Sequence, residues 1–158
     1  GTIIIDSHQN LSMNSKNAMI LRRYTIGYLF QNYGLIEDES VLWNLKLALE
    51  YKKIKREEKL KLINKYLKQF ELNDMLNKKV NQLSGGEQQR IAIIKLILQG
   101  SQIILADEPT SGLDKENELI VMKLLKELNE KGITIIMVTH NMNLCDCFSR
   151  VINVENFR

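Results

Sequence analysis

The sequence predicts an α/β fold, in which a mostly parallel sheet carries helices on its faces. Short β-branched and apolar runs alternate along the chain with longer stretches of helical periodicity. The run at residues 103–106 ends in Asp107 and Glu108, which is typical of a buried strand whose carboxyl end faces a ligand. The 158 residues are 44% hydrophobic and 26% charged, which suits one domain with a core.

Charge and composition exclude several classes of function. The formal net charge is only +3, and acids and bases are mixed along the helices, so we expect no nucleic-acid partner. No apolar run approaches about 20 residues, so we expect no membrane span in this sequence and see no signal peptide. Cys145 and Cys147 could join a metal site, but no second Cys or His cluster accompanies them. Buried, reduced thiols of a cytosolic protein are the preferred interpretation.

The first elements follow from local composition. Residues 1–6 predict a strand, because residues 2–5 (TIII) are β-branched and mostly apolar, and residues 7–10 predict a turn. Residues 15–23 predict a helix that ends in two arginines. Residues 25–30 predict another strand, which Gln31 follows; on its own, Gln31 fits a polar loop residue.

The middle of the chain changes to helical periodicity. Apolar residues recur three and four positions apart over residues 40–70, which predicts helix. The lysine-rich run at residues 52–61 fits a solvated face, or alternatively a docking surface for anionic lipid or a membrane subunit. Residues 73–82 are a polar connector.

Two further helices are predicted in the second half. Residues 86–99 are apolar nearly all round, which indicates a buried helix that Gly100 ends. Asp114 is placed to cap the next helix, whose apolar stripe ends before Gly132. The stripe consists of Val121, Leu124, Leu125 and Leu128.

Strands separate and follow these helices. Residues 133–138 predict a second buried strand, which brings His140 to the same sheet edge as Asp107. A histidine in this position is more often structural than catalytic when it stands alone. Residues 150–154 predict a last short strand.

The segment around Ser84 suggests an anion site. Ser84 and Glu87 have the spacing of a capping box, and Gly85 and Gly86 keep the start of the helix free of side-chain bulk. A bare helix N-terminus favours negative charge, although an ordinary turn and helix cap fit the same pattern. Together with the acidic pair at the end of a strand, this segment suggests bound phosphate and Mg²⁺.

Five motifs resemble those of the ATP-binding subunit of ABC transporters. Residues 83–90 (LSGGEQQR) are similar to the signature motif, and residues 103–108 to the Walker B strand with its catalytic glutamate. Residues 111–114 (SGLD) resemble the D-loop, His140 the switch histidine and Gln31 the Q-loop. All five occur in the order typical of the family.

The resemblance implies a P-loop NTPase (RecA-like) core with an inserted helical subdomain. Residues 1–158 are then one partial ABC ATPase domain: an N-terminal core part with the Q-loop at 1–39, the helical subdomain at 40–82, and the remaining core at 83–158. The Walker A loop G-x-x-x-x-G-K-[ST] is not in this sequence, so Gly1 resembles a start inside the domain. We therefore expect the chain alone to bind ATP weakly, to be inactive and to self-associate through surface left uncovered.

The resemblance also implies roles for individual residues. Two subunits close head to tail on two ATP molecules, with Glu108 as general base and His140 at the γ-phosphate. Asp107 and Gln31 contact Mg²⁺. The residues implied to meet nucleotide or the second subunit are Ser84, Gly85, Gly86, Gln88, Ser111 and Asp114. Transmembrane permease subunits are the other implied partners.

A subgroup is suggested by residues 21–23, 26–31 and 41–45, which resemble ATPases of lipoprotein release and of macrolide and bacteriocin export. This implies an exporter of a peptide, bacteriocin or lipophilic substrate, peripheral to the cytoplasmic face of a bacterial cell membrane. Two alternatives remain. One is a soluble ABC ATPase of translation or DNA maintenance, and the other is a non-hydrolytic interaction module that keeps the signature surface.

Overall fold

Strands and helices alternate along the chain, as predicted for an α/β fold. A computed structural model describes residues 2–5, 8–9 and 12–154. The helices are α1 (Lys16–Tyr24), α2 (Val41–Ala48), α3 (Arg56–Gln69), α4 (Gly85–Gln99) and α5 (Lys115–Glu130). The strands are β1 (Ile4–Ile5), β2 (His8–Gln9), β3 (Ile26–Leu29), β4 (Ile103–Asp107) and β5 (Thr134–Val138). None of these helices is both long and apolar enough to cross a bilayer.

The main sheet is parallel and has the order β3-β4-β5. Leu29 lies beside Ala106, which lies beside Met137, and Asp107 lies beside Val138. The carboxyl ends of all three strands therefore meet at one edge of the sheet, and the residues that follow these strands form the candidate site.

In the described part of the chain, helices cover one face of this sheet and leave the other exposed. Ile104 and Ala106 point to the side of α4 and α5 and are almost fully buried. On the other face Tyr28, Ile136 and Val138 are 42%, 54% and 59% exposed. The predictions that helices cover both faces and that β4 and β5 are buried on both faces are therefore wrong for the described residues, because none of them packs over this second face. We call it the uncovered face.

The helical part of the fold packs against α4. The stretch predicted as helical at residues 40–70 consists of α2 and α3, separated by turn and irregular structure at residues 49–55. Both helices contact α4. The buried apolar residues of this part of the fold, each at most 1% exposed, include Leu45, Ile63 and Leu67 of the helices and Leu49 directly after α2.

Helix ends agree with the sequence. Ser84 caps α4 and Asp114 caps α5 through side-chain acceptors, as predicted. Gly100 follows α4 at a φ of 82°, a left-handed conformation that glycine adopts without strain. Val121, Leu125 and Leu128 of the predicted α5 stripe are buried.

The two ends of the chain differ from the predictions. Of the described residues 2–5, only β1 is in a strand, and it pairs antiparallel with β2 in a separate two-stranded sheet. Of the turn predicted at residues 7–10, the described residues form β2; positions 1, 6, 7 and 10 lie outside the described residues. The strand predicted at residues 150–154 does not form: residues 150–153 are irregular and Val154 is in a 3₁₀ turn, because the described strands pair only with one another.

The two cysteines are free but are not buried. Cys145 is half-buried and Cys147 is exposed. Both lie in the short 3₁₀ segment Met142–Cys147, which instead buries Leu144. The prediction of buried thiols is therefore wrong.

Candidate functional site

The sheet edge gathers the polar residues that follow the three strands. Asp107 is the last residue of β4, and Glu108 follows it directly. His140 lies two residues after β5, and Gln31 lies two residues after β3. Because the strands are parallel and adjacent, these four predicted site residues belong to the same edge.

Glu108 is held by the end of β5 through both its backbone and its side chain. Its backbone N–H donates to the Val138 carbonyl at 2.9 Å. Its Oε1 accepts from the His140 N–H at 2.7 Å, and its Oε2 accepts from the Thr139 hydroxyl at 3.2 Å. Its φ of 45° is uncommon for a residue other than glycine. Strained backbone of this kind is concentrated at functional sites.

The imidazole of His140 extends into solvent. Its side chain is 99% exposed, which excludes a role in the core. Nε2 lies 3.8 Å from Glu108 Oε1, and this contact is an ion pair only when the ring is protonated. The ring is therefore accessible to a molecule bound at the sheet edge.

Asp107 is exposed and contacts β3 across the uncovered face. Its Oδ2 accepts from the Tyr28 hydroxyl at 3.2 Å. Partial desolvation, followed by this hydrogen bond and the negative charge of Asp107, raises the pKa of Tyr28 above 10.0. Tyr28 therefore remains a donor at neutral pH.

The donor set at this edge fits Mg²⁺. In the described part of the chain, no group of three or more His, Cys, Asp or Glu residues could enclose a metal ion. Mg²⁺ does not need one, because it keeps several waters and takes one or two carboxylates together with substrate phosphates. Asp107 and Gln31, both exposed, supply oxygen ligands of that kind.

The start of α4 has the predicted capping box. The Ser84 N–H and the Ser84 hydroxyl both donate to Glu87 Oε2, at 2.7 and 2.9 Å. The Glu87 N–H lies 3.4 Å from Ser84 Oγ. Gln88 Nε2 donates to the Leu83 carbonyl at 3.0 Å. These bonds fix the helix start on the protein surface, where Ser84 is exposed.

Packing is a second reason why residues 85 and 86 are glycines. A Cβ at Gly86 would lie 2.0 Å from Asn117 Oδ1, and a Cβ at Gly85 would lie 2.7 Å from the Tyr33 hydroxyl. The sequence indicated access for an anion. The structure adds that Asn117 occupies the space where a side chain at Gly86 would lie.

Asn117 connects α4 to the D-loop-like segment. Its Oδ1 accepts from Arg90 Nη1 at 3.0 Å, and its Nδ2 donates to Asp114 Oδ2 at 2.8 Å. Its backbone N–H donates to Asp114 Oδ1 at 2.8 Å. These backbone and side-chain bonds from Asn117 hold the pKa of Asp114 below its usual value of 3.8. Ser111 of the same segment is exposed.

The segment after Gln31 is attached to two helices. Lys95 Nζ on α4 donates to the Gly34 carbonyl at 2.7 Å, and burial lowers the pKa of Lys95. Asn44 on α2 is fully buried, and its side chain bonds both the N–H and the carbonyl of Ile36. The Q-loop-like segment is therefore fixed to both α2 and α4.

Sequence reasoning missed Lys95, Asn44, Asn117 and Thr139. Lys95 is a lone cation in an apolar helical run, and Asn44 interrupts the apolar face of α2, so both were visible as anomalies in the pattern. Asn117 and Thr139 gave no such signal, because each is a polar residue where polar residues are ordinary.

Comparisons with known proteins match this chain to ABC transporter proteins. The family model described as ABC transporter matches residues 1–111. The ABC transporter ATP-binding protein MJ1508 of Methanocaldococcus jannaschii is 38% identical over 156 residues, which are 99% of this chain and 70% of that protein. The macrolide export ATP-binding/permease protein MacB of Campylobacter jejuni is 36% identical over 156 residues, 99% of this chain. The chain spans only 24% of that MacB.

Solved structures show the same similarity. The ATP-binding cassette MJ0796, in a dimeric post-hydrolysis state bound to ADP and Pi, matches with a TM-score of 0.81 and 38% identity. The match covers 93% of this chain and 66% of that one. The structure of cbiO1 from Clostridium perfringens, described as part of the ABC transporter complex cbiONQ, matches with a TM-score of 0.74 and 30% identity. It covers 87% of this chain and 55% of that one.

Proposed function

The chain belongs to the ABC transporter family and has the P-loop NTPase fold of its ATP-binding cassettes, and from this premise we propose that it hydrolyses ATP as part of an ABC exporter. The family resemblance and the fold class predicted from the sequence are confirmed by these relatives. We propose the reaction, the partners and the transported substrate in the paragraphs below.

One observation carries the proposal of hydrolysis. The carboxylate of Glu108 is fixed at both oxygens by the end of β5, and the exposed carboxylate of Asp107 precedes it in the chain. A fixed base next to an exposed metal-binding carboxylate is the arrangement that hydrolysis of a phosphate anhydride requires.

Each residue at the sheet edge has a separate role in the proposed hydrolysis of ATP. Glu108 takes a proton from the attacking water at its carboxylate, and His140 contacts the γ-phosphate with its exposed ring. Asp107 and Gln31 would hold Mg²⁺, which would offset the negative charge of the phosphates. Water adds to the terminal phosphorus as the bond to ADP breaks, and the products are ADP and inorganic phosphate.

A second subunit completes the site. At the start of α4, Ser84 is exposed, Gly85 and Gln88 are half-buried and Gly86 is buried. We assign this helix end to the γ-phosphate bound by a partner in a head-to-tail dimer. Ser111 and Asp114 are proposed to contact the second subunit of that dimer. The dimeric form of the MJ0796 cassette supports this assignment.

Activity is proposed to need a Walker A loop in addition to these 158 residues. The backbone N–H groups of such a loop wrap the phosphates, and its lysine offsets their charge. The sequence contains no G-x-x-x-x-G-K-[ST], so these residues alone are expected to bind ATP weakly and to be inactive. The protein for testing the function is therefore a fusion with a Walker A strand, loop and helix placed before Gly1, which we call the extended protein.

The test compares Glu108→Gln with a carboxylate control in the extended protein. Loss of a general base is expected to lower phosphate release about 10²–10⁴-fold. ATP-dependent pairing, measured by light scattering, should persist in E108Q because nucleotide contacts remain. Glu130→Gln, at the exposed end of α5, is the matched control and should hydrolyse ATP normally. Absence of both pairing and phosphate release in the unsubstituted extended protein would contradict the function.

A groove between α1, α2 and α4 is our candidate for the permease contact. It has a volume of about 190 Å³ and includes Arg22, Arg23, Lys52 and Lys95 in its lining. Arg23 lies over the ring of Tyr51 at 4.4 Å, which holds this cation in place. The cations favour an acidic cytoplasmic segment of a transmembrane permease. An acidic helical peptide should bind this chain, and its lysine-substituted counterpart should not.

The transported substrate is proposed from the relatives alone. MacB is named for macrolide export, and we extend this to a peptide, bacteriocin or other lipophilic substrate. The subunit would then act at the cytoplasmic face of the membrane, peripheral to its permease. Capture of a membrane protein, rather than ribosomes or DNA, from cell extract would separate this function from that of a soluble ABC ATPase.

A further inference from the structure

We propose that Thr139 is a positioning residue for ATP hydrolysis, because its hydroxyl fixes the orientation of the Glu108 carboxylate. The inference rests on the proposed function, in which Glu108 is the general base. Thr139 itself contacts neither substrate nor metal in this proposal and acts through Glu108.

The end of β5 contacts both oxygens of the carboxylate. The Thr139 hydroxyl lies 3.2 Å from Glu108 Oε2, and the His140 N–H lies 2.7 Å from Oε1. A carboxylate bonded at one oxygen can still turn about its last side-chain bond. Donors at both oxygens stop this rotation, so Thr139 supplies the second point of attachment.

A neighbouring bond determines the direction in which the Thr139 hydroxyl donates. The backbone N–H of Asn141 donates to Thr139 Oγ1 at 3.0 Å, which occupies an acceptor position of that oxygen. The hydroxyl has one proton, and Glu108 Oε2 is its acceptor. The hydroxyl is therefore fixed as a donor to Glu108.

Asn141 is itself anchored to other parts of the fold. Its Nδ2 donates to Glu118 Oε2 on α5 at 2.9 Å, and its Oδ1 accepts from the Asn143 N–H at 3.1 Å. The peptide that orients the Thr139 hydroxyl is thus held by α5 and by the following 3₁₀ segment. The fold itself therefore orients the Glu108 carboxylate, and no bound ligand is needed for this.

Orientation matters because a general base acts only when its lone pair faces the water that it deprotonates. The backbone of Glu108 lies at a φ of 45°, and its N–H is bonded to Val138, so the main chain is fixed as well. The freedom that remains is rotation about the side-chain bonds of Glu108, and the Thr139 hydrogen bond restricts this rotation at Oε2.

The first test is structural and uses this chain as it is. Thr139→Val has the same shape without a hydroxyl, Thr139→Ser keeps the hydroxyl, and Thr134→Val is a matched control at the exposed start of β5. Crystal structures should show Glu108 in one orientation in T139S and T134V, and in more than one in T139V. Should T139V fail to fold, Thr139→Ala replaces it and leaves room for a water at the Asn141 N–H. A single, unchanged orientation of Glu108 in the variant without a hydroxyl would overturn the proposal.

The second test measures hydrolysis by the extended protein. T139V should lower kcat about tenfold with KM within about twofold, since loss of one charge-assisted hydrogen bond corresponds to roughly that factor. T139S should restore kcat to within about twofold of wild type. In an E108Q background, T139V should cause no further loss of single-turnover rate. An equal loss in both backgrounds, or a T139S as slow as T139V, would overturn the proposal.

The two tests fail in different ways. If the extended protein neither pairs nor hydrolyses ATP, the proposed function is wrong, and the crystal structures still decide whether Thr139 fixes Glu108. If hydrolysis depends on Glu108 but T139V is as fast as wild type, the function stands and the role of Thr139 is wrong.

Discussion

Gly86→Ala is expected to destabilise the fold, although alanine favours helices more than glycine does. A Cβ at Gly86 lies 2.0 Å from Oδ1 and 2.3 Å from Cγ of Asn117, well inside van der Waals contact. Asn117 cannot simply turn away, because its side chain is bonded to Arg90 and to Asp114. Alanine must therefore displace Asn117 and break its part-buried bond to Arg90, whereas the bond to Asp114 is exposed and water can replace it.

The change in the free energy of unfolding caused by G86A is the sum of three contributions. Forcing an extra methyl group into a packed position costs about 1–3 kcal/mol. The lost hydrogen bond between Arg90 and Asn117 costs about 1 kcal/mol, and replacing glycine by alanine in a helix contributes about 1 kcal/mol in the opposite direction. The last two terms cancel, so the free energy of unfolding should fall by about 1–3 kcal/mol.

Urea unfolding followed by circular dichroism measures this loss. Gly85→Ala is the matched control, because a Cβ there meets the far end of the Tyr33 side chain, which can move aside. We expect G85A to cost less than about 1 kcal/mol. The penalty of G86A should disappear in an Asn117→Ala background, which provides the missing space. An equal penalty in both backgrounds, or no penalty in the wild type, would refute a clash between Gly86→Ala and Asn117.

Three other changes test separate parts of the structure. The folded-state pKa of Asp114 is lowered below 3.8, so its charge stabilises the fold above that pH, and the contribution is lost as pH falls through the folded-state value. The urea midpoint of wild type should exceed that of D114N at neutral pH and converge with it in acid; a constant difference would contradict the assignment. K95M removes the donor to the Gly34 carbonyl and should cost about 1 kcal/mol in urea unfolding; an unchanged midpoint would count against this bond. I136K places a charge on the uncovered face and should reduce self-association in light scattering with an unchanged circular dichroism spectrum. Equal scattering by both proteins would argue that this face does not associate.

Features that depend on a few neighbouring residues could be predicted from the sequence. The Ser84–Glu87 capping box, the Asp114 cap and the left-handed Gly100 each need only a local pattern, and the structure has all three. The sheet edge was also predictable, because parallel strands must bring the residues after β4 and β5 to the same side.

Features that depend on distant neighbours could not be predicted in this way. The apolar residues of β4 and β5 look alike in the sequence whether a helix covers them or not, so Ile136 and Val138 were expected to be buried. The short strand predicted at residues 150–154 had the right composition, but the described strands pair with one another and leave it outside both sheets. The donors to Glu108 were missed because the register of β5 relative to β4, which sequence alone does not give, decides which residues reach it.

The buried amide of Asn44 has a mechanical consequence. Its amide makes three hydrogen bonds, two to Ile36 and one to the Ser40 carbonyl, and Asn44 itself is fully buried. A shift of α2 that left Ile36 behind would therefore leave polar atoms of this buried amide without partners. The stretch between Gln31 and α2 thus behaves as a stiff link, and a push on the outside of α2 changes the position of the polypeptide next to Gln31 at the sheet edge.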